Sequence, residues 1–292
     1  MTDLKVTLLI LLASTIRMST PITLAAIGGT FSARTGTMAL GLEGFMLMGA
    51  WGAALGSYIF QNAWMGLLMG ILVSLAVSFL FGVFTIRFHV NQVICGIGFN
   101  MFASGFTASM TQMIWGTRAN SVQVPTLGRI TVPVLGEMSV LIPIMLVSWY
   151  YLFKTPYGLR MRVVGESAHA ADSIGLKVNR YKYAGILISG ALCGISGSFL
   201  SIDHVNMFVR EMTAGRGFIA VAVNILGRYN PLGALGGGLL FGFADSLQLV
   251  IPSATVPGQL LQMIPYAVTL FVIIFAVRYV STPAGIGEVL DH

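Results

Sequence analysis

Few side chains in this sequence are placed to do chemistry. The four histidines, His89, His169, His204 and His292, are scattered, no H-E-x-x-H occurs, and neither Cys95 nor Cys193 has a neighbouring base. Both cysteines sit alone in apolar stretches without C-x-x-C spacing, so they read as small packing residues rather than metal ligands or a redox pair. The chain lacks a G-x-x-x-x-G-K-[ST] phosphate loop, so it is expected neither to bind nor to hydrolyse ATP and to hold no metal or cofactor of its own. Two sets of residues remain. One is an amphiphilic stretch within the connection 154–182, containing Gly165, Glu166, Ser167, His169, Ala170, Ala171 and Asp172. The other is a scatter of polar groups in apolar surroundings, Glu43, Gln92, Asn100, Arg216, Asn224 and Asp245, with Phe99 beside one of them.

Composition decides what surrounds these groups. Of 292 residues, 56% are hydrophobic and only 9% charged, about a third of the charge of a soluble domain. Mean hydropathy is +0.85, and apolar runs near 20 residues recur from end to end, more than one buried core can absorb. The reading is an all-α polytopic membrane protein, a single transmembrane domain over 1–292. Its nine apolar segments lie at about 4–28, 38–60, 63–86, 92–114, 138–153, 181–201, 212–227, 232–251 and 258–278. The first begins without a basic leader and cleavage site, so it reads as a retained span. The seventh is short and polar at its start, with Thr213 and Arg216, and is expected to be a half-helix entering beside protein. Small residues four apart, Gly52 with Gly56, Gly66 with Gly70, Gly190 with Gly194 and Gly238 with Gly242, are expected to let helix backbones approach closely.

The formal charge of +6 points to topology and lipid contact rather than to nucleic acid. If the connection 154–182 is cytoplasmic, alternation places ten Lys and Arg inside: Lys154, Arg160, Arg162, Lys177, Arg180, Lys182, Arg34, Arg87, Arg228 and Arg278. Four, Lys5, Arg118, Arg129 and Arg210, lie outside, which gives an outside N-terminus and a cytoplasmic C-terminus. The outer loop 116–137, with Pro125 and Pro133, is expected to be irregular and to offer a docking face for an external partner.

Within 154–182, Ser167 or Glu166 can cap a short helix over Ala168–Ile174 that Gly175 ends in the left-handed conformation, giving about two turns. Ala170 and Ala171 are expected to permit close approach by another protein, with Glu166, His169 and Asp172 as polar contacts around them. An ionisable group inside a span costs roughly 2.5 to 3.5 kcal/mol on insertion scales and so faces a bundle interior or wet cavity. Glu43 therefore reads as a pathway or gating residue, or as a helix cap or partner of Arg34. Asp245 reads as pathway lining or as paired within the bundle, and Arg216 as a cation near solute or as a salt bridge to Glu211. Gln92, Asn100 and Asn224 can hydrogen-bond a solute or join helices, and Phe99 can wall a flat base or simply pack.

The pattern G-[ILV]-R-x-R-x-x-G-E-x-x-x-A-A-x-x-x-G-[ILV], from Gly158 to Leu176, resembles the cytoplasmic coupling loop of bacterial ABC importer permeases. The run Thr20–Gly36, TPITLAAIGGTFSARTG, the run LGLEGFMLMGA from Leu40, SGALCGISGS from Ser189 and MTAGRGFIAVAVNILGRYNPLGA from Met212 resemble the ribose, branched-chain amino acid and nucleoside group, nearest to its nucleoside branch. The resemblance runs colinearly from about Thr20 to Tyr279, although Cys193 and Asn224 stand where small or apolar residues are usual. It implies a type II ABC importer-like permease fold in the bacterial cytoplasmic (inner) membrane. Implied partners are ATP-binding subunits that hold ATP and Mg, a second permease subunit that is a related longer chain, an external solute-binding protein and a nucleoside-like solute. A sugar or branched-chain amino acid permease is the alternative within the fold. A proton-coupled carrier relaying through Glu43 or Asp245 is the alternative outside it.

Overall fold

The computed structural model describes residues 2–126, 138–250, 263–276 and 283–287. Among them all regular structure is helical apart from one isolated antiparallel bridge between Asn120 and Val209. Each of the expected apolar segments carries one helix: α1 (Thr2–Arg34), α2 (Leu42–Phe60), α3 (Ala63–Gly82), α4 (Gln92–Trp115), α5 (Met138–Lys154), α8 (Val178–Ser198), α9 (Arg216–Leu226), α10 (Pro231–Val250) and α11 (Ile264–Ala276). The connection 154–182 adds α6 (Pro156–Glu166) and α7 (Ala168–Ser173). Residues 258–262 and 277–278 of the last expected segment, and 127–137 of the outer loop, lie outside the described residues.

Among the described residues, four helical stretches are long and apolar enough to cross a membrane: Leu9–Arg34, Ala63–Arg87, Gln92–Trp115 and Val178–Val205. Two of these extend as π-helical turns, Val83–Arg87 and Phe199–Val205. The seventh segment is a half-helix as expected. The 11 residues of α9 rise about 16 Å at 1.5 Å each, roughly half of a 30 Å hydrocarbon layer.

The second expected segment, 38–60, is not one helix. Helix α2 starts only at Leu42, and residues 35–41 are turns and irregular backbone although Thr35, Thr37 and Ala39 are buried. Hydropathy does not show this break because Met38, Ala39 and Leu40 are as apolar as a helix interior.

Helix α1 packs against α8, α9 and α10, while α2 packs against α3 and α8. Where α2, α3 and α8 meet, a Cβ on Gly49 would lie 2.7 Å from the Gly194 Cα, and one on Gly70 would lie 2.7 Å from the Gly49 carbonyl oxygen. The four glycine pairs read from the sequence all face neighbouring helices in this way. Buried hydroxyls add cross-links: Ser74 Oγ donates to the Gly190 carbonyl at 2.7 Å and Ser196 Oγ to that of Pro21 at 2.6 Å.

Three of the connections assigned to one side by charge, those at Arg34, Glu166 and Arg228, meet at one end of the bundle, where Arg34 reaches Glu166 and the Arg228 carbonyl. At the opposite end, the described part of the 116–137 connection is tied down by backbone hydrogen bonds. Ser121 N–H donates to the Phe208 carbonyl at 2.8 Å, Val124 N–H to that of Asn206 at 2.9 Å, and Arg210 N–H to that of Ala119 at 2.8 Å. Phe208 is fully buried beneath this ladder.

A Cβ on Gly197 would lie 2.1 Å from the Met46 carbonyl oxygen, whereas one on Gly98 would meet nothing within 4 Å. Gly197→Val is expected to lower the thermal unfolding temperature of the detergent-purified chain through overpacking of about 1 to 3 kcal/mol. Gly98→Ala is expected to leave it unchanged or raise it, as melting of the two variants against the parent would show.

Candidate functional site

The exposed knob is built from backbone-terminating residues. Thr155 caps α6 by accepting from Gly158 N–H at 3.2 Å, with Pro156 at the first helical position. Ser167 then serves both neighbours: its N–H closes α6 on the Val163 carbonyl at 3.1 Å, and its Oγ accepts from Ala170 N–H at 3.2 Å to start α7. Gly175 at φ +80° ends α7, its N–H donating to the Asp172 carbonyl at 2.8 Å while Leu176 N–H reaches that of Ala171 at 3.1 Å.

One expectation about this helix is corrected. Ala170 and Ala171 do not form a shared outer face: Ala170 is exposed, whereas Ala171 is fully buried with Ala168 against Val164 and Val178. Ala171 lies three residues after Ala168, on the same side of the helix, and that side packs against the end of α6 and the start of α8. The outer face consists of His169, Ala170, Asp172 and Ile174, the last 68% exposed and not singled out in the sequence reading.

Gly165 is not on the surface. A Cβ there would lie 2.3 Å from the Arg34 carbonyl oxygen, so this glycine lets α6 press against the end of α1. Its own carbonyl accepts from Gly285 N–H at 3.0 Å, and Gly287 N–H donates to the Gly36 carbonyl at 3.1 Å. Arg34 completes the junction. Its Nη1 lies 3.8 Å from Glu166 Oε1, its Nε donates to the Tyr229 carbonyl at 2.8 Å, and its Nη2 donates to the Arg228 carbonyl at 3.1 Å. Arg228 and Tyr229, both at positive φ, form the turn that closes α9. Burial raises the Tyr229 phenol above its ordinary pKa against a smaller lowering by the Arg34 charge. One guanidinium thus ties the end of α1 to the knob and to α9.

The other end of α9 is held by Glu43. Its Oε1 accepts from Gly215 N–H at 2.9 Å and its Oε2 from Gly217 N–H at 2.6 Å, so both carboxylate oxygens meet free N–H groups at the start of the half-helix. The helix dipole adds to this attraction. A Cβ on Gly217 would lie 2.4 Å from the Glu43 Cα, which explains the glycine there. The cap reading of Glu43 is therefore realised on α9, and Arg34 pairs elsewhere.

Gln92 and Asn100 of α4 supply partners for the irregular backbone before α2. Met38 N–H donates to Gln92 Oε1 at 2.7 Å, Gly44 N–H to Asn100 Oδ1 at 2.8 Å, and Asn100 Nδ2 to the Leu40 carbonyl at 3.1 Å. Phe99 stands edge-on to Phe81 and Phe84, with centroids 5.8 and 6.0 Å away. Asn224 accepts from Thr30 Oγ1 at 2.6 Å, joining α9 to α1. Arg216 pairs with Asp245 at 3.7 Å, while its Nη1 donates to the Met212 carbonyl at 3.2 Å. Glu211, the partner considered for Arg216, instead accepts from Ser104. The polar groups scattered in the sequence are thus gathered around the break before α2 and around α9.

Glu43→Gln puts an amide NH2 against one of two N–H donors and removes the charge, a loss of about 1 to 3 kcal/mol. It is expected to reduce transport more than membrane abundance, measured as uptake per molecule of chain. For the ion pair, Arg216→Met and Asp245→Leu are each expected to destabilise by about 3 to 5 kcal/mol, with the double variant recovering part of that loss. Thermal unfolding of all four forms checks this.

A family profile described as "Branched-chain amino acid transport system / permease component" matches residues 11–277. The chain is 33% identical to the guanosine ABC transporter permease protein NupQ of Bacillus subtilis, over 98% of this chain and 97% of that one. It is also 33% identical to the nucleoside ABC transporter permease protein NupC of Lactococcus lactis, over 96% of both. A second Bacillus subtilis protein, the guanosine ABC transporter permease protein NupP, is 27% identical over 91% of this chain and 82% of its own. With nearly the whole length matched by both profile and relatives, this multi-pass membrane protein belongs to the family of branched-chain amino acid transport system permease components.

Proposed function

We infer that the chain is a permease subunit of an ATP-driven ABC importer for nucleosides and forms half of the translocation pathway. The observation that carries this reading is full-length similarity to permeases named for guanosine and nucleoside transport. Similarity to two guanosine permease chains of one organism supports pairing with a second, related and longer permease subunit. Separate ATPase subunits bind ATP and Mg, an external binding protein delivers the solute, and the assembly sits in the bacterial cytoplasmic membrane with the 154–182 connection inside.

The ATPase subunit grips the outer face of α7, at His169, Ala170 and Asp172. A displacement of α7 passes through Glu166 to Arg34, and from Arg34 to the turn at Arg228 and Tyr229. Helix α9 carries it to its N-terminus, where Glu43 couples it to the start of α2. Gly165 keeps the first contact of this chain tight, since no side chain intervenes between α6 and α1. The pathway residues Glu43, Gln92, Phe99, Asn100, Arg216, Asn224 and Asp245 shape the route by fixing the broken backbone and the half-helix beside it. A passage whose carboxylates and amides are mostly engaged by the protein itself binds solute weakly, as release into the cell requires.

The test is uptake by vesicles containing this chain with its co-purifying subunits and binding protein. Saturable, ATP-dependent guanosine uptake that leucine and glucose do not compete is expected. Uptake by this chain alone that follows a proton gradient would overturn the reading, and so would preference for leucine or a sugar. Ala170→Arg places bulk on the exposed face of α7 and is expected to cut ATP-dependent uptake about tenfold or more, as loss of a central interface contact of about 2 kcal/mol would. Membrane insertion should persist, so abundance by immunoblot is measured alongside.

A further inference from the structure

A cavity of about 430 Å³ opens at the basic end of the bundle, between the end of α5, the first turns of α6 and the start of α8. The connections from Arg34 to Glu166, Tyr229 and Arg228 do not pass through it. Three cationic side chains line it, Arg160, Lys177 and Arg180, together with the phenols Tyr151, Tyr157 and Tyr181, and none of its lining residues is acidic. Arg160 is held in place: its Nη1 donates to Tyr181 Oη at 3.4 Å, and its guanidinium lies 5.8 Å from the centre of the Tyr157 ring. Lys177 is the N-cap residue of α8 but makes no side-chain cap, and the first turn of that helix carries no acidic residue, so its positive end adds to the same field.

Three cations converging on one cavity without a carboxylate make a site for an anion with several acceptor oxygens. The position selects the source. The cavity lies where α5 ends at Lys154 and α8 begins at Val178, the level at which spans meet the headgroup layer and tyrosines gather. One helical turn from Tyr151 on the same face of α5, Val147 is 67% exposed, and Tyr150 beside it is 61% exposed, an apolar track leading from the cavity along the bilayer.

We propose that this cavity binds the phosphate of an anionic phospholipid headgroup, with an acyl chain lying along α5. Gly175 and Lys177, at the foot of the knob, touch the cavity, so a bound headgroup would brace the base of α7 from the membrane side. The site does not depend on which solute is carried.

Native mass spectrometry of the full chain in detergent, titrated separately with phosphatidylglycerol, phosphatidylcholine and inorganic phosphate, tests this. Phosphatidylglycerol is expected to bind at least about tenfold more strongly than phosphatidylcholine, and to weaken about fivefold for each of Arg160→Gln, Lys177→Gln and Arg180→Gln. Arg118→Gln, which removes a like charge at the opposite end, should change nothing. If Arg160→Gln or Lys177→Gln does not fold, Arg180→Gln alone supplies the comparison. Equal binding of the two lipids, or phosphatidylglycerol binding unchanged by loss of the cations, would overturn the proposal. Inorganic phosphate binding as tightly as the lipid would overturn the assignment to a headgroup.

Discussion

Backbone N–H and C=O groups cannot be left unpaired in hydrocarbon, and a chain that breaks its helices there must supply partners from its own side chains. This protein breaks twice in one place. The chain leaves α1 at Arg34 and runs irregularly to Leu42, and it turns through 211–215 with positive φ at Glu211, Ala214 and Gly215 before α9 begins. Gln92 and Asn100 serve the first break, and Glu43, which starts α2, serves the second with both oxygens. The two irregular segments are thereby locked to each other. The charged carboxylate of Glu43 is tolerated inside the bundle because two amide N–H groups and a helix dipole replace its water.

A continuous route follows from the same contacts. Helix α9 is short enough to be held at both ends, by Glu43 at its start and by Arg34 on the turn after its last residue. Arg34 in turn meets Glu166, the residue before the α7 cap. Under the proposed function, an ATPase acting on α7 therefore addresses the interior of the bundle through three polar contacts and one rigid half-helix. Two-state elements of this kind transmit displacement because packed helices shift as bodies and not by gradual bending. The glycines where α2, α3 and α8 meet make the remaining scaffold close-packed enough to serve as the fixed frame.

Much of this was legible in the sequence because it depends on local signals. Apolar segments, the cap at Ser167, the stop at Gly175 and the polar start of α9 at Thr213 and Arg216 all follow from neighbours in the chain. What was not legible depends on pairs distant in sequence. Nothing near Glu43 indicates that Gly215 and Gly217 meet it, nothing near Arg216 indicates Asp245 over Glu211, and Arg34 gave no sign of reaching Glu166. The break at 35–41 was hidden because its residues are apolar and its partners lie on another helix. The burial of Ala171 was hidden for the same reason: in so short a helix the sequence does not show which side packs, and Ala168 with Ala171 meets Val164 and Val178 from neighbouring helices.

The central claim is that Arg34 connects the knob to the half-helix, and the ratio of solute imported to ATP hydrolysed measures it most directly. In the assembled importer, Arg34→Gln should leave ATP hydrolysis near the parent rate while import falls about tenfold, matching loss of charge-assisted bonds worth about 1.5 to 3 kcal/mol. An unchanged ratio, with import intact or with both activities falling together, would contradict the account.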